Sequence, residues 1–402
     1  MAELSESEYL QQTESILATN QTESIPGAKQ TESAAPTCKH HVDVSDYMPV
    51  AKPATVEEGL RFGWKTQRIK VHCMLSCLCE SLKRYSDVDY RPLYFGVWDA
   101  AFGVNGRGAL SYYDKGDDFQ AYRQGFEDLY GIRVQSWNEK LLESRPEKWH
   151  EQQPVISGSA SRLQQLMADR EETDMIMAQI DLSRLPEREN KFNLSPFPHY
   201  VMLFPSRHPA QWLMFDPDFR WEGLLDKTQI MAALLENEAG GGYCWNMSQV
   251  KRPATDTLKD YVGAAVSHDS NPLTDYLRHL LTQARDGKEG SVPIHELGET
   301  IKQLHVLVIR KWGYDYALMY FHDELELPRD HYEHWAQHIR DVVQAYTTFQ
   351  FGTTKMSILQ QPDMMADLLR QLDDLEQLEQ RLKLEMERLF LNWCKKKEGS
   401  LV

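Results

Sequence analysis

The sequence predicts an α+β domain followed by an α-helical domain, behind a leader that packs nothing. Three observations carry this. Between about residues 46 and 236, short apolar runs bounded by Pro, Ser and Asp alternate with stretches of helical spacing. Beyond about residue 240 the strand-like runs fade and only helical spacing persists. The first 45 residues carry QTES at Gln12, Gln21 and Gln30 among Thr, Ser, Gln, Glu and Ala, with almost no bulky side chains. The organisation read from this is a disordered leader over 1–45, a mixed domain over 46–236 and a helical domain over 237–402. A chain of 402 residues is long enough for two cores.

The leader cannot bury enough apolar area to offset its ordering entropy, and three polar repeats are too few for a solenoid. In the mixed region, HCMLSCLCESLKRY places small and apolar residues at helical spacing and ends in a basic turn, as a helix beginning near Cys73 should. DDFQAYRQGFEDLYGI reads as a helix stopped by Gly131. MIMAQIDL (Met175 to Leu182), HYVMLF (His199 to Phe204) and QWLMFD (Gln211 to Asp216) read as strands, the last two joined as a hairpin by PSRHPA. Further on, Leu273, Leu277, Leu280 and Leu281 share one helix face, and LGETIKQLHVLVIRKWGYDYALMY continues helically. The last helix, with Asp363 as cap behind Pro362, carries Leu368, Leu372, Leu375, Leu378, Leu382, Met386 and Leu389 at spacings of three and four. That stripe is a bundle seam, being too short for a coiled-coil dimer.

Charge and cysteine usage exclude several classes. With 44 basic against 60 acidic side chains, the net charge of −16 disfavours nucleic acid and suits a cationic small molecule. The sequence shows no membrane-spanning run, and MAELSESEYL lacks the pattern of a secretory signal, so a cytoplasmic protein is expected. Six cysteines are too sparse for a disulfide scaffold and should remain thiols.

Three of the six, Cys73, Cys77 and Cys79, fall in one short stretch. A helix N-terminus and a nearby imidazolium both stabilise a thiolate, which singles out Cys73 as nucleophile; Cys77 and Cys79 lie deeper in the helix and suit packing. A metal held by His72, Cys73, Cys77 and Cys79 is the rival reading, but successive helical positions converge poorly on a tetrahedral ion, and no metal is expected. If the hairpin is symmetric, Phe204 faces Gln211 and His199 faces Asp216, close enough for the carboxylate to hold the imidazole. Gln67, six residues before Cys73, is positioned to donate to an oxyanion beside the Cys73 backbone N–H.

The order Gln67, Cys73, His199, Asp216 resembles the papain-like fold. The segments HCMLSCLCESLKRY, RPLYFGVWDAAFGV, IMAQIDLSRLP and PHYVMLF…MFDP, over about residues 65 to 220, are similar to the butirosin biosynthesis protein H family of acyltransferases, and within it to the condensing proteins of petrobactin-type siderophore biosynthesis. The resemblance implies a papain-like cysteine acyltransferase domain. It implies that Cys73 takes a dihydroxybenzoyl-type aryl group from the thioester of an aryl or acyl carrier protein, with Gln67 and the Cys73 N–H stabilising the oxyanion. His199, oriented by Asp216, would then activate a primary amine of a spermidine-like polyamine. No cofactor of the chain's own is implied, because the acyl group arrives on a phosphopantetheinyl carrier.

A polycationic acceptor calls for carboxylates and aromatic faces. WGYDYALMYFHDELEL supplies Trp312, Asp315, Asp323 and Glu324 as the expected amine-binding residues, although the same stretch also reads as an amphipathic helix with an exposed acidic end. His331, His334 and His338 share a helix face, read as solvated rather than metal-binding. Two alternatives to transfer stay open: a cysteine peptidase or amidase using the same residues with water, and a scaffold in which their alignment is accidental.

Overall fold

A computed structural model describes residues 71–112, 117–136, 159–188, 195–218, 221–235, 241–266 and 270–399. The expected leader and Gln67 lie outside the described residues. All that is described belongs to one compact unit spanning 43–402.

Helix α1 (Cys73–Tyr85) begins at the predicted residue and ends on Lys83 and Arg84, which oppose the negative end of the helix dipole. A short ribbon pairs β1 (Gly103–Val104) with β2 (Leu110–Ser111), and α2 (Asp117–Tyr130) stops at Gly131, whose φ of 71° is the left-handed conformation a helix end favours. The centre is a six-stranded antiparallel sheet made of β3 (Gln135–Ser136), β4 (Asp174–Asp181), β5 (Pro198–Pro205), β6 (Gln211–Asp216), β7 (Trp221–Asp226) and β8 (Gly242–Asn246). Its spatial order is β3-β8-β4-β5-β6-β7. Helix α3 (Ser159–Ala168) precedes β4, and α4 (Lys227–Ala233) follows β7.

The two-residue period of the strands divides the core into two layers. Met175, Met177, Tyr200, Met202 and Phe204 pack with Met74, Leu75 and Leu78 of α1 and Phe126 of α2. Ile176, Ala178, Val201 and Leu203 pack on the other side with Leu163 of α3 and Ile230 of α4. Both faces of the sheet are covered, so β4 and β5 read as continuous apolar runs rather than alternating ones.

The mixed region does not stop at residue 236. Strand β8 lies inside the sheet between β3 and β4, so the sheet-bearing half extends at least to Asn246. GYCWN is short and preceded by Gly241, a residue that ordinarily weakens a strand, which is why its apolar centre escapes a pattern search.

The helical half comprises α5 (Thr255–Ala265), α6 (Pro272–Asp286), α7 (Gly313–Leu325), α8 (Arg329–Leu359) and α9 (Met365–Gly399), with short turns between α6 and α7. The long helix expected over residues 297–320 is broken: Leu297–Thr300 and Leu304–Val308 are separate helical pieces, followed by a 3-10 turn, Ile309–Trp312. Asp363 is likewise not the cap of α9 but part of a 3-10 turn, Pro362–Met364, that leads into it. The seam on α9 is buried as expected, with Leu368, Leu372, Leu375, Leu382, Met386 and Leu389 in the bundle core and Leu378 at its edge. Among the described residues no helix is long and apolar enough to cross a membrane.

The two halves are locked by the stretch RPLYFGVWD. Tyr94 stacks on Tyr316 at 4.0 Å and Trp98 on Tyr314 at 4.2 Å. Gly313 permits this approach, because a Cβ there would stand 2.2 Å from Val97 Cγ1. Arg91 pairs with Asp323 and also donates to the Met319 carbonyl at 3.1 Å. Beneath them Asp99 accepts from both Lys311 and Lys383, and Lys311 also donates to the fully buried Glu379.

Candidate active site

The first turn of α1 is capped by an unusual residue. His72, 1 % exposed, has an extended backbone, and its Nδ1 accepts the Met74 N–H at 3.2 Å. That bond needs an unprotonated Nδ1. Burial, then the charges of Arg310 and His199, hold the His72 pKa well below the usual histidine range, so the cap is a neutral imidazole. No acidic residue sits in the first turn, which leaves the positive end of the helix dipole facing Cys73.

His199 enters at the start of β5. The preceding residue but one, Phe197, donates its N–H to Asp181 Oδ1 at 2.8 Å, fixing where the strand begins. The hairpin pairs Phe204 with Leu213 and Pro205 with Trp212, so the six-residue turn sits one position further along than the symmetric reading places it. Continued three pairs beyond Met202 and Phe215, this register sets residue 199 across from residue 218, not 216. The offset is an even number of residues, so His199 and Asp216 still share a face as diagonal neighbours. Their bond survives: His199 Nε2 lies 3.0 Å from Asp216 Oδ1.

With Nε2 on Asp216, the imidazole also interacts with Cys73, which lies within reach of its ring. Burial works against a charged His199, but the Asp216 charge and hydrogen bond, with those of Cys73, outweigh it and push the His199 pKa up to about 10. The trio is sequestered, Cys73 and His199 being 3 % exposed and Asp216 fully covered. Cys77 and Cys79 are inert by comparison. Burial holds the Cys77 thiol well above its usual range and raises Cys79 to about 12, and their thiols donate to backbone carbonyls, of Tyr200 and Tyr90 respectively, at 3.9 Å.

Two further neighbours stand beside these residues, of which Arg188 had no signal in the sequence, whereas Asp218 follows Asp216 closely enough to be the sequence's second choice, with Glu222, for the amine. Arg188, in the loop after β4, donates to Asp216 Oδ2 at 2.5 Å while its guanidinium lies 4.7 Å from the Trp221 ring. Asp218, just past β6, accepts from Ser76 Oγ at 3.1 Å, one turn along α1 from Cys73. Their contacts depend on which loops fold back onto the strand ends, and no local spacing encodes that.

The expected amine-binding group is not an open cation site. Asp315 is buried, accepts from Tyr332 at 2.8 Å, and has its pKa raised to about 6 by that burial. Asp323 holds Arg91, while Glu324 holds Lys397 at 2.5 Å and the Trp393 indole at 2.9 Å. Trp312 packs against both cores. Asp323 joins the two halves through Arg91, Glu324 is taken up by Lys397 within the helical half, and Asp315 by the Tyr332 hydroxyl. His331 is also no solvated residue: it bridges His322 and Glu385 at 2.8 Å each.

The chain matches the DUF6005 N-terminal domain over residues 68–250 and the DUF6005 C-terminal domain over residues 256–401. It belongs to the DUF6005 family. It is also 33 % identical over 334 residues to the petrobactin synthase of Bacillus anthracis, an alignment covering 83 % of this chain and 98 % of that protein. This places the chain among proteins of petrobactin-type siderophore biosynthesis. The two family segments meet between 250 and 256, after β8, in keeping with the extent of the sheet.

Proposed function

We propose that this protein is a papain-like cysteine acyltransferase that moves a dihydroxybenzoyl-type aryl group from a carrier-protein thioester, through Cys73, to a primary amine of a spermidine-like polyamine. The observation that carries the reading is the His199 imidazole, held between the thiol at the start of α1 and the buried Asp216. Kinship with a petrobactin synthase supplies the class of product.

In the first step the Cys73 sulfur attacks the thioester carbonyl, and the oxyanion is stabilised by the Cys73 N–H and Gln67. The C–S bond to the carrier breaks, and its thiolate leaves with the proton from His199. In the second step the amine nitrogen attacks the acylated Cys73, His199 takes the amine proton, and the Cys73 sulfur departs as the amide forms. Burial of the trio supports transfer over hydrolysis, because a covered acyl-sulfur bond is shielded from bulk water. The acceptor cation is met by Asp218, the carboxylate beside the first turn of α1.

Incubating the protein with an aryl carrier thioester and reading intact mass, with and without spermidine, tests this. The expected result is an aryl adduct on Cys73 that spermidine discharges as an amide, and no adduct in Cys73→Ala. Discharge to free acid at the same rate without amine would make the protein a hydrolase.

A further inference from the structure

A buried catalytic site has to manage its net charge as the reaction proceeds. Before acylation, a Cys73 thiolate, a His199 imidazolium and the Asp216 carboxylate would sum to one uncompensated negative charge in a space from which water is nearly excluded. The missing positive charge is Arg188, itself buried, 2.5 Å from the Asp216 oxygen that His199 does not use. A guanidinium does not deprotonate in a protein, so this charge is constant through the cycle.

Acylation consumes the thiolate charge. With Arg188 paired to Asp216, a neutral His199 leaves the remaining site uncharged. Without it, Asp216 would be a lone buried carboxylate and would hold the proton on His199. An imidazolium cannot accept the proton of an attacking amine, so the acyl-enzyme would stall.

We propose that Arg188 is a positioning residue whose fixed charge keeps the buried site neutral both before and after acylation, and so frees His199 to act as base toward the amine. This rests on the acyltransferase reading of the same site. The other charged or titratable groups around His199, among the described residues, do not change between the two states. His72, capping α1, is neutral, and Cys77 is held as a thiol by burial. Asp181, at the end of β4, is satisfied by Ser183, Phe197 and Arg184. Asp218 is half-buried at Ser76, and Arg310 spends its donors on the carbonyls of Ala100, Ala101 and Tyr112.

The test separates the two steps. Cys73 is loaded with the aryl group in wild type, Arg188→Gln and Arg188→Lys, and loss of the acyl group to spermidine is followed by intact mass across the pH range. Arg188→Gln should discharge about tenfold or more slowly near neutrality and recover at alkaline pH, its midpoint moved upward by about one pH unit or more. Arg188→Lys should return the midpoint to that of wild type. A uniform loss in Arg188→Gln with an unmoved midpoint, or a Lys variant whose midpoint stays with Gln, overturns the proposal. A second measurement needs no variant. The His199 ring is titrated by NMR in wild type before and after Cys73 is capped with iodoacetamide, which removes the thiolate charge as acylation does. His199 should become neutral near pH 7 once capped; an imidazolium that persists above about pH 8 overturns the proposal. Wild type that never acquires the acyl group refutes the underlying reading instead.

Discussion

Replacing Asp216 by Asn tests the buried link at its centre. Both carboxylate oxygens are used: Oδ1 faces His199 Nε2 at 3.0 Å and Oδ2 faces Arg188 Nη2 at 2.5 Å, with Asp216 fully covered. An amide offers one acceptor and one donor, so in one flip its NH₂ confronts the Arg188 guanidinium, which can only donate, and in the other it faces His199 Nε2, which must then switch to the accepting tautomer. The guanidinium loses its counter-charge in both. Breaking one partner of a buried ion pair costs about 3–5 kcal/mol. Against a total stability of about 5–15 kcal/mol this is a large fraction, and for a unit of this size it translates to a melting temperature lower by roughly 4–7 °C. Differential scanning calorimetry at neutral pH reads it directly. An Asn variant that melts within about 1 °C of wild type would show that Arg188 and His199 are not held by this carboxylate. In activity, His199→Ala should nonetheless be the worse variant, because it removes the proton acceptor whereas Asp216→Asn removes the group that orients it.

Three other outcomes are expected. Glu379→Leu should cost about 3–5 kcal/mol in urea unfolding, since it leaves the buried Lys311 only the more distant Asp99, and takes the Glu379 acceptor from the Tyr314 hydroxyl and one of two partners from Tyr346; adding Lys311→Met should recover most of that loss. Asp218→Asn should raise the amine KM roughly fivefold, the worth of one partly exposed ion pair, with Cys73 acylation unchanged; Asp323→Asn, which leaves Arg91 with Asp89 as its carboxylate partner, should lower melting temperature without moving that KM. Stability should also decline with rising pH. His199 has its folded pKa raised from the ordinary histidine value of 6.5 to about 10, so its contribution is complete below about pH 6.5 and is lost as pH climbs through about 10. Chemical denaturation at intervals across that window reads the slope, and His199→Ala should flatten it.

What the sequence could encode was decided by range. Helix α1 was readable to its first residue because its signals are local: small and apolar spacing, then a basic turn. Strands β4, β5 and β6 stood out because burial on both faces makes them unbroken apolar runs. The pairing of His199 with Asp216 was legible only in parity, since turn geometry set the register and a slide of the turn by one residue left the shared face intact. Arg188, Asp218 and strand β8 reach their places through tertiary contacts, so no local periodicity marks them. The aromatic and acidic stretch from Trp312 to Glu326 misled for a physical reason. Carboxylates beside aromatic rings suit a polyamine, but they equally suit Arg91 and Lys397 of the same chain, and composition cannot tell a ligand's cation from an internal one.

That internal use explains why the helical half accompanies the sheet-bearing half. Arg310, 2 % exposed and contributed by the turn ahead of α7, donates to the carbonyls of Ala100, Ala101 and Tyr112 at 3.2, 2.6 and 3.1 Å. Its guanidinium lies 4.6 Å from the Tyr112 ring, and that ring stacks at 5.4 Å on His72, the cap of the catalytic helix. The chain of contacts runs from the helical core to the residue before Cys73 without leaving buried side chains. His72 must stay neutral to accept the Met74 N–H, and the Arg310 charge is one of the influences that keep it so. The helical half therefore acts on the first turn of α1 both mechanically and electrostatically, and a sheet domain cut off after Asn246 would lose the support behind His72 and Cys73.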